Sequence, residues 1–244
     1  MIKTVGIMGG MGPLATVDLM NKIIRLTPAQ NDQEHVHLIV DNYPQIPDRT
    51  SAIMGKGNDP LPYMKQSAKT LEKAGADLLV IACNTAHYYL QEIQDTIQVP
   101  IINMPNETAR YIHEVCLRCV ALLATDGTMK SMIYQKSLRE RGLDVLEPDE
   151  ITQAKIMEGI YAIKAGEIAK GKSLLINAAQ IMIEKGAEAV IAGCTEIPIV
   201  LSDAEDIKVI DPTHILAKKV VDIANQEYVL YRDFGTDSNR AIKG

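Results

Sequence analysis

The sequence has no tryptophan and a single phenylalanine, so nine tyrosines carry almost all of its aromatic character. A core without large rings must be filled by aliphatic side chains, and the 47% hydrophobic content supplies them. Basic residues are in deficit: 25 Lys plus Arg against 31 Asp plus Glu give a formal net charge of −6. That balance offers no basic face to a phosphodiester backbone and argues against nucleic acid as a main ligand. Long apolar runs are missing as well. The longest, a short stretch ending at Cys83, is under half of the ~20 residues that a membrane helix requires, so no membrane association is expected. Residues 1–8 resemble a strand entering a glycine turn and lack the apolar region and cleavage site of a signal peptide, which implies a cytoplasmic location. Four cysteines in 244 residues do not form a secreted disulfide framework. Reduced thiols are expected, either buried or reactive.

At roughly 150 residues per domain the length allows one or two domains, each with a full core. Short β-branched runs alternate with helical patterns. They predict strands at Thr4–Met8, Val36–Asp41, Leu78–Ala82 and Val99–Asn103, then again at Val120–Ala124, Leu143–Leu146, Ala189–Ala192 and Val209–Asp211. Apolar strands separated by amphipathic helices mean parallel sheets covered on both faces, so the fold class is α/β. Pro13 suits a first helical position, and apolar residues at 14, 17, 20, 23 and 24 predict that this face of a Leu14–Leu26 helix enters the core. Tyr43–Pro62 holds four prolines and two glycines without helical or alternating pattern, and is expected to be a long loop over the functional cleft. The polar tail Phe234–Gly244 is expected to fray.

The chain repeats itself. Gly75-Ala76-Asp77 precedes Cys83 with the cysteine eight residues after the glycine, and Gly186-Ala187-Glu188 precedes Cys194 at the same spacing. Val5 to Gly12 aligns with Val120 to Gly127, and Ile102-Asn103 before Pro105 matches Ile210-Asp211 before Pro212, at offsets of 115 and 108 residues. This implies two pseudo-symmetric open parallel-sheet domains with flanking helices: an N-terminal one of residues 1–103 plus 212–244, and a C-terminal one of residues 104–211. Ligands of open α/β sheets lie beyond the carboxyl ends of the strands, so the two cysteines should meet in a cleft between the domains.

Each cysteine ends an apolar strand and begins a turn toward a helix: Cys83-Asn84-Thr85-Ala86-His87 and Cys194-Thr195-Glu196-Ile197-Pro198. A thiol at a helix N-terminus meets backbone N–H donors and the positive dipole end, which should lower its pKa from ~8.5 toward neutrality. One such cysteine is most simply a buried small residue. A symmetric pair with polar neighbours points to chemistry instead.

These motifs, with Gly9-Gly10-Met11-Gly12-Pro13, resemble the cofactor-independent aspartate/glutamate racemase family over most of the chain. The first-turn glycines and the segment from Asn42 to Thr50 resemble its aspartate racemase branch. Glutamate racemases typically carry His where Glu196 stands. The resemblance implies an amino-acid racemase acting on aspartate, with glutamate or a broader substrate range also possible. It implies no pyridoxal phosphate and no metal, a small-molecule amino-acid partner, and a homodimer. In such a mechanism one cysteine thiolate removes the α-proton and the other thiol delivers one to the opposite face. Two thiolates ~7 Å apart at an effective dielectric of ~20 repel by about 2.4 kcal/mol, so one thiolate plus one thiol is the favoured state. By the same resemblance Asn84, Thr85 and Thr195 hold the α-carboxylate and ammonium. Arg49, with Thr50 beside it, and Lys164 meet the side-chain carboxylate. Met11, Glu196 and His87 are candidate supporting residues, the last two as tuners of thiol pKa or as caps.

Other functions compete. Gly10-Met11-Gly12-Pro13-Leu14-Ala15 fits the loose G-x-G-x-x-A fingerprint of a nicotinamide-binding oxidoreductase, but the acid expected about 20 positions on is not well placed, with Asp41 lying 26 residues after Ala15. Cys116-Leu117-Arg118-Cys119 raises a thiol redox or zinc module. It precedes a strand, at the sheet edge opposite Cys83 and Cys194, and resembles a helix end that happens to bear two thiols. Within the family, a decarboxylase, another isomerase or a hydantoin racemase would vary the substrate around similar motifs.

Overall fold

The computed structural model describes residues 3–201 and 207–235, with side chains to residue 224. Two parallel sheets form the framework. Strands β1 (Val5–Gly9), β2 (Leu38–Asn42) and β3 (Leu78–Ile81) make the first, in the order β2-β1-β3. Strands β4 (Cys119–Ala124), β5 (Asp144–Leu146), β6 (Ala189–Gly193) and β7 (Val209–Ile210) make the second, in the order β5-β4-β6-β7. The central pairs correspond, with Val5 beside Leu78 in one sheet and Val120 beside Ala189 in the other. Helices cover both faces of each sheet, as all-parallel sheets require.

The Val99–Asn103 strand shrinks to a single bridge between Ile101 and Leu79. The Pro100 carbonyl accepts the Leu79 N–H and the Leu79 carbonyl accepts the Ile102 N–H, but Pro100 has no N–H to extend the ladder. Asn103 then caps the helix Met104–Glu114 by accepting the Asn106 N–H at 3.0 Å.

The helix that Pro13 opens, Pro13–Leu26, is present but turned differently from its expected phase. Ala15, Thr16, Leu19 and Ile23 are buried, whereas Leu14, Val17 and Ile24 face outward. Thr16 sets the rotation: its hydroxyl accepts the Gly10 N–H at 2.9 Å, which fixes the first turn against the loop after β1. The inward face then packs with Val5, Ile7 and Val80 and with Leu216, Ala217 and Val220 of the last helix, Pro212–Gly235. Phe234 and Gly235 lie in that helix, and the rest of the expected frayed tail is outside the described residues. Among the described residues no helix is long and apolar enough to cross a membrane.

The Tyr43–Pro62 segment also departs from expectation, because it contains a short helix, Arg49–Ile53. Asp48 caps it by accepting the Ser51 N–H at 2.7 Å, and its first turn buries Arg49 and Thr50. Side chains are too few in this single helical turn to leave a periodic signal.

Candidate active site

Strand alternation aims both thiols. Cys83 falls on the same sheet face as Leu79 and Ile81, and Cys194 on that of Val190 and Ala192, since side chains of a strand repeat every second residue. Each sulfur therefore leaves the carboxyl end of its strand among buried apolar neighbours. Both cysteines line one small cavity. Thr50, Asn84, Thr85 and Thr195 line it too, as do Arg49 and Lys164, Met11 and Glu196. Of the expected site residues, His87 alone is not in its wall. A larger groove lies between the helices starting at Met104 and Pro212, but its Arg110, Lys218 and Lys219 pair with Glu107, Glu114 and Asp222 and it holds no cysteine.

The expectation of an acidified thiol fails at Cys194. Burial, then the adjacent Glu196 carboxylate, push its pKa well above the ordinary thiol value, and Lys164 only partly offsets them. The helix that follows, Ile197–Val200, is one turn of four residues and has little dipole to contribute. The Cys194 thiol donates to Glu196 Oε2 at 2.8 Å, and the Thr195 hydroxyl donates to the same oxygen at 3.2 Å. Glu196 precedes that short helix yet makes no cap hydrogen bond, so it is a partner of the thiol rather than a cap.

Positive charge is concentrated opposite. Lys164 Nζ lies 3.8 Å from Glu196 Oε1 and 5.7 Å from the centre of the Tyr161 ring. Burial pulls its pKa down, but Cys194, Glu196 and Cys83 outweigh that and raise it, so the ammonium stays charged. Arg49 is 8% exposed, and its guanidinium donates to the carbonyls of Ile46, Pro47 and Met11 at 3.2, 2.9 and 3.2 Å. Its Nε is buried without a partner, and so is Nδ2 of Asn84. The Asn84 side-chain oxygen is taken by the hydroxyl of the buried Tyr134, which fixes the amide with its donor end free. Two orphaned donors beside two thiols are costly unless a ligand completes them.

Two cavity residues escaped the sequence reading. Asp48 caps the Arg49 helix, and although burial opposes it, the Ser51 hydrogen bonds, Arg49 and Lys164 hold its carboxyl below the usual range. Thr125, which follows β4 and caps the helix Asp126–Ser131, is the hub of a hydroxyl cluster: it lies 3.1 Å from the hydroxyls of both Thr50 and Thr85, and 3.2 Å from that of Thr128. The signal for Thr125 was in the repeat, where it occupies the place of Gly10 in the aligned turn. Gly127 permits the close approach: a Cβ there would sit 2.8 Å from the Thr50 Cα.

His87 stands behind the wall. Its Nδ1 lies 2.9 Å from the Cys83 carbonyl, and its Nε2 accepts the Met104 N–H at 3.2 Å. The donor on Nδ1 and acceptor on Nε2 define a neutral tautomer, in keeping with a pKa lowered by burial to about 4. It ties the Cys83 turn to the start of the Met104 helix.

The competing motifs find other uses. Position 10 requires glycine, because its φ is +88° and a Cβ there would strike the Tyr43 backbone at 2.3 Å, and the turn's Gly10 N–H and Met11 carbonyl are engaged by Thr16 and Arg49. Close chain packing against Tyr43 accounts for the glycine at position 10 without a diphosphate. Cys116 is exposed beyond the Met104 helix and Cys119 opens β4, at the strand end remote from the cavity. Among the described residues no cluster of three His, Cys, Asp or Glu side chains could hold a metal ion.

Residues 8–220 match the family model described as Asp/Glu/Hydantoin racemase. The chain belongs to that family. It is thereby an isomerase of the racemase type. This racemase-family chain is 32% identical over 225 residues to the broad specificity amino-acid racemase RacX of Bacillus subtilis, covering 89% of the chain and 96% of the relative. Among solved structures it is similar to the Picrophilus torridus aspartate racemase, at 32% identity and a TM-score of 0.84 over 94% of this chain and 99% of that one. The Francisella tularensis glutamate racemase, in complex with D-glutamate, shares the fold at 18% identity and a TM-score of 0.69, over 93% and 82% of the two chains.

Proposed function

We propose that the protein interconverts L- and D-aspartate, using Cys83 and Cys194 as paired acid and base without pyridoxal phosphate. The observation that carries this reading is one small cavity with a thiol from each sheet and cationic or orphaned donors between them. A dicarboxylate completes those donors. Its side-chain carboxylate meets Lys164 and the free Nε of Arg49, whose guanidinium three carbonyls already hold in place, so little ordering is needed on binding. Its α-carboxylate takes the free Asn84 amide together with Thr85 and Thr195, and Thr50 and Met11 close the wall. One thiolate then removes the α-proton as the Cα–H bond breaks, and the other thiol gives its proton to the opposite face. The domain division 1–103 plus 212–244 against 104–211 puts one base on each domain.

The test is optical. Enzyme dialysed without added cofactor should carry L-aspartate and D-aspartate to the same zero rotation by circular dichroism, with glutamate slower. The B. subtilis relative favours a broader reading; equal rates across unrelated amino acids would select it. No racemisation of any amino acid would sink both.

A further inference from the structure

The two thiols occupy matching positions in the repeat, but their surroundings do not match. Two residues after Cys194 stands Glu196, with its carboxylate against the sulfur at 2.8 Å. Two residues after Cys83 stands Thr85, whose hydroxyl turns away to Thr125 and Thr128 at 3.1 and 2.8 Å. Among the described residues the Cys83 sulfur makes no hydrogen bond. The pseudo-symmetry is therefore broken at one atom: a carboxylate oxygen on one base and none on the other.

That oxygen is already an acceptor for two donors, the Cys194 thiol and the Thr195 hydroxyl, while Oε1 faces Lys164. Removing the thiol proton would leave a thiolate at hydrogen-bond distance from an oxygen that carries no hydrogen. We propose that Glu196 is a positioning residue that holds Cys194 as the proton-bearing thiol of the resting enzyme, leaving Cys83 as the base of the first turnover. This rests on the two-cysteine reading above. The step balances: the Cys83 thiolate forms S–H as the substrate Cα–H breaks, and the Cys194 S–H breaks as the new Cα–H forms. The enzyme is left with a Cys83 thiol and a Cys194 thiolate beside Glu196, a disfavoured form that returns to the resting one when Cys83 releases its proton and Cys194 takes one up.

The groups facing Cys194 are few. Glu196 comes from its own turn, Lys164 and Tyr161 from the helix Glu150–Lys164, and the buried Tyr134 lies within electrostatic reach, while Asp48, Arg49 and Cys83 share the cavity wall. Lys164 favours a thiolate at Cys194 but does not outweigh burial and Glu196. Glu196 alone is hydrogen-bonded to one of the two cysteines, so it decides which thiol keeps the proton.

The test uses iodoacetamide on the full-length protein without substrate, with peptide mass spectrometry reading each cysteine over pH 6–10. Access does not distinguish the sites, since Cys83 and Cys194 are 5% and 7% exposed. In the wild type, Cys83 should be labelled at least about tenfold faster than Cys194 at pH 8, the lag corresponding to one or more pK units. The lag should close as pH rises. In Glu196→Gln, an isosteric change without the charge, the Cys194 profile should move to lower pH and the lag should shrink. A wild-type lag that is absent, reversed or independent of pH overturns the proposal, as does an unchanged lag in a folded Glu196→Gln protein. Because the wild-type profile needs no variant and no substrate, its outcome is separate from the racemisation assay. Racemisation with symmetric labelling would sink only this inference, and asymmetric labelling without racemisation would sink only the substrate reading.

Discussion

Acid should loosen the fold through His87. The folded protein holds its imidazole neutral down to about pH 4, whereas the unfolded chain takes up a proton below the ordinary value of 6.5. A folded pKa below the unfolded one makes the stabilisation complete above ~6.5 and withdraws it as pH falls toward ~4. At 1.36 kcal/mol per pK unit, the whole loss is on the order of 3 kcal/mol, a large share of the ~5–15 kcal/mol that holds a typical domain. The ring cannot be protonated in place, because Nε2 is the acceptor for the Met104 N–H and a second proton would abolish that bond. Urea denaturation of the wild type and of His87→Gln at pH 7.5, 6, 5 and 4.5 measures it. The variant should be less stable at pH 7.5, having lost a fitted ring, and its stability should fall less steeply below pH 6.5. Titrating carboxylates contribute to both proteins and cancel in the difference. Parallel slopes would show that the ring titrates freely and that the tie between the Cys83 turn and the Met104 helix has been misjudged.

Arg49→Ala and Lys164→Ala should each lower kcat/KM for aspartate by about 10- to 150-fold, the ~1.5–3 kcal/mol of a charge-assisted hydrogen bond, with unchanged melting temperature for the half-exposed Lys164. Unaltered kcat/KM in both would misplace the side-chain pocket. Gly127→Val should cost about 1–3 kcal/mol of stability by forcing the Asp126 helix off Thr50, and activity should fall with it; wild-type activity would separate the hydroxyl cluster from the site. Thr125→Val should cost about 1–3 kcal/mol in thermal or urea unfolding, because the buried Thr50 and Thr85 hydroxyls lose their common partner. No change in unfolding midpoint would mean that water serves them instead. Saturating aspartate should slow alkylation of both cysteines, and equal rates with and without it would count against a ligand lying between them.

What the sequence made legible was whatever repeats or alternates. The eight-residue spacing from Gly75 to Cys83 and from Gly186 to Cys194 located both thiols, because a strand of known length carries a side chain to a known end and face. The parallel order followed from apolar strands separated by helices. What stayed hidden depended on single contacts between distant segments. The helix Arg49–Ile53 is one turn, too short for a period, and is held by the Asp48 cap and by Thr50 against Thr125. The rotation of the Pro13–Leu26 helix was set by one hydroxyl, that of Thr16, against an apolar pattern wide enough to fit two phases. Helix position suggested an acidified Cys194, but the following helix is a single turn, and burial together with the carboxylate two residues on outweighs it. Glu196 was visible in the motif; the direction in which it acts was not.

The central claim is that two bases on opposite faces share the work, and proton NMR of L-aspartate incubated with the enzyme in D2O tests it most directly. The base that removes the α-proton is then not the one that returns a hydrogen. The first D-aspartate formed should carry solvent deuterium at Cα while the unreacted L-aspartate keeps its protium. Cys83→Ala and Cys194→Ala should each abolish racemisation by several orders of magnitude, and each should still exchange the α-hydrogen of one enantiomer, the two variants choosing opposite ones. Protium retained in the first D-aspartate, or both variants exchanging the same enantiomer, would contradict the account.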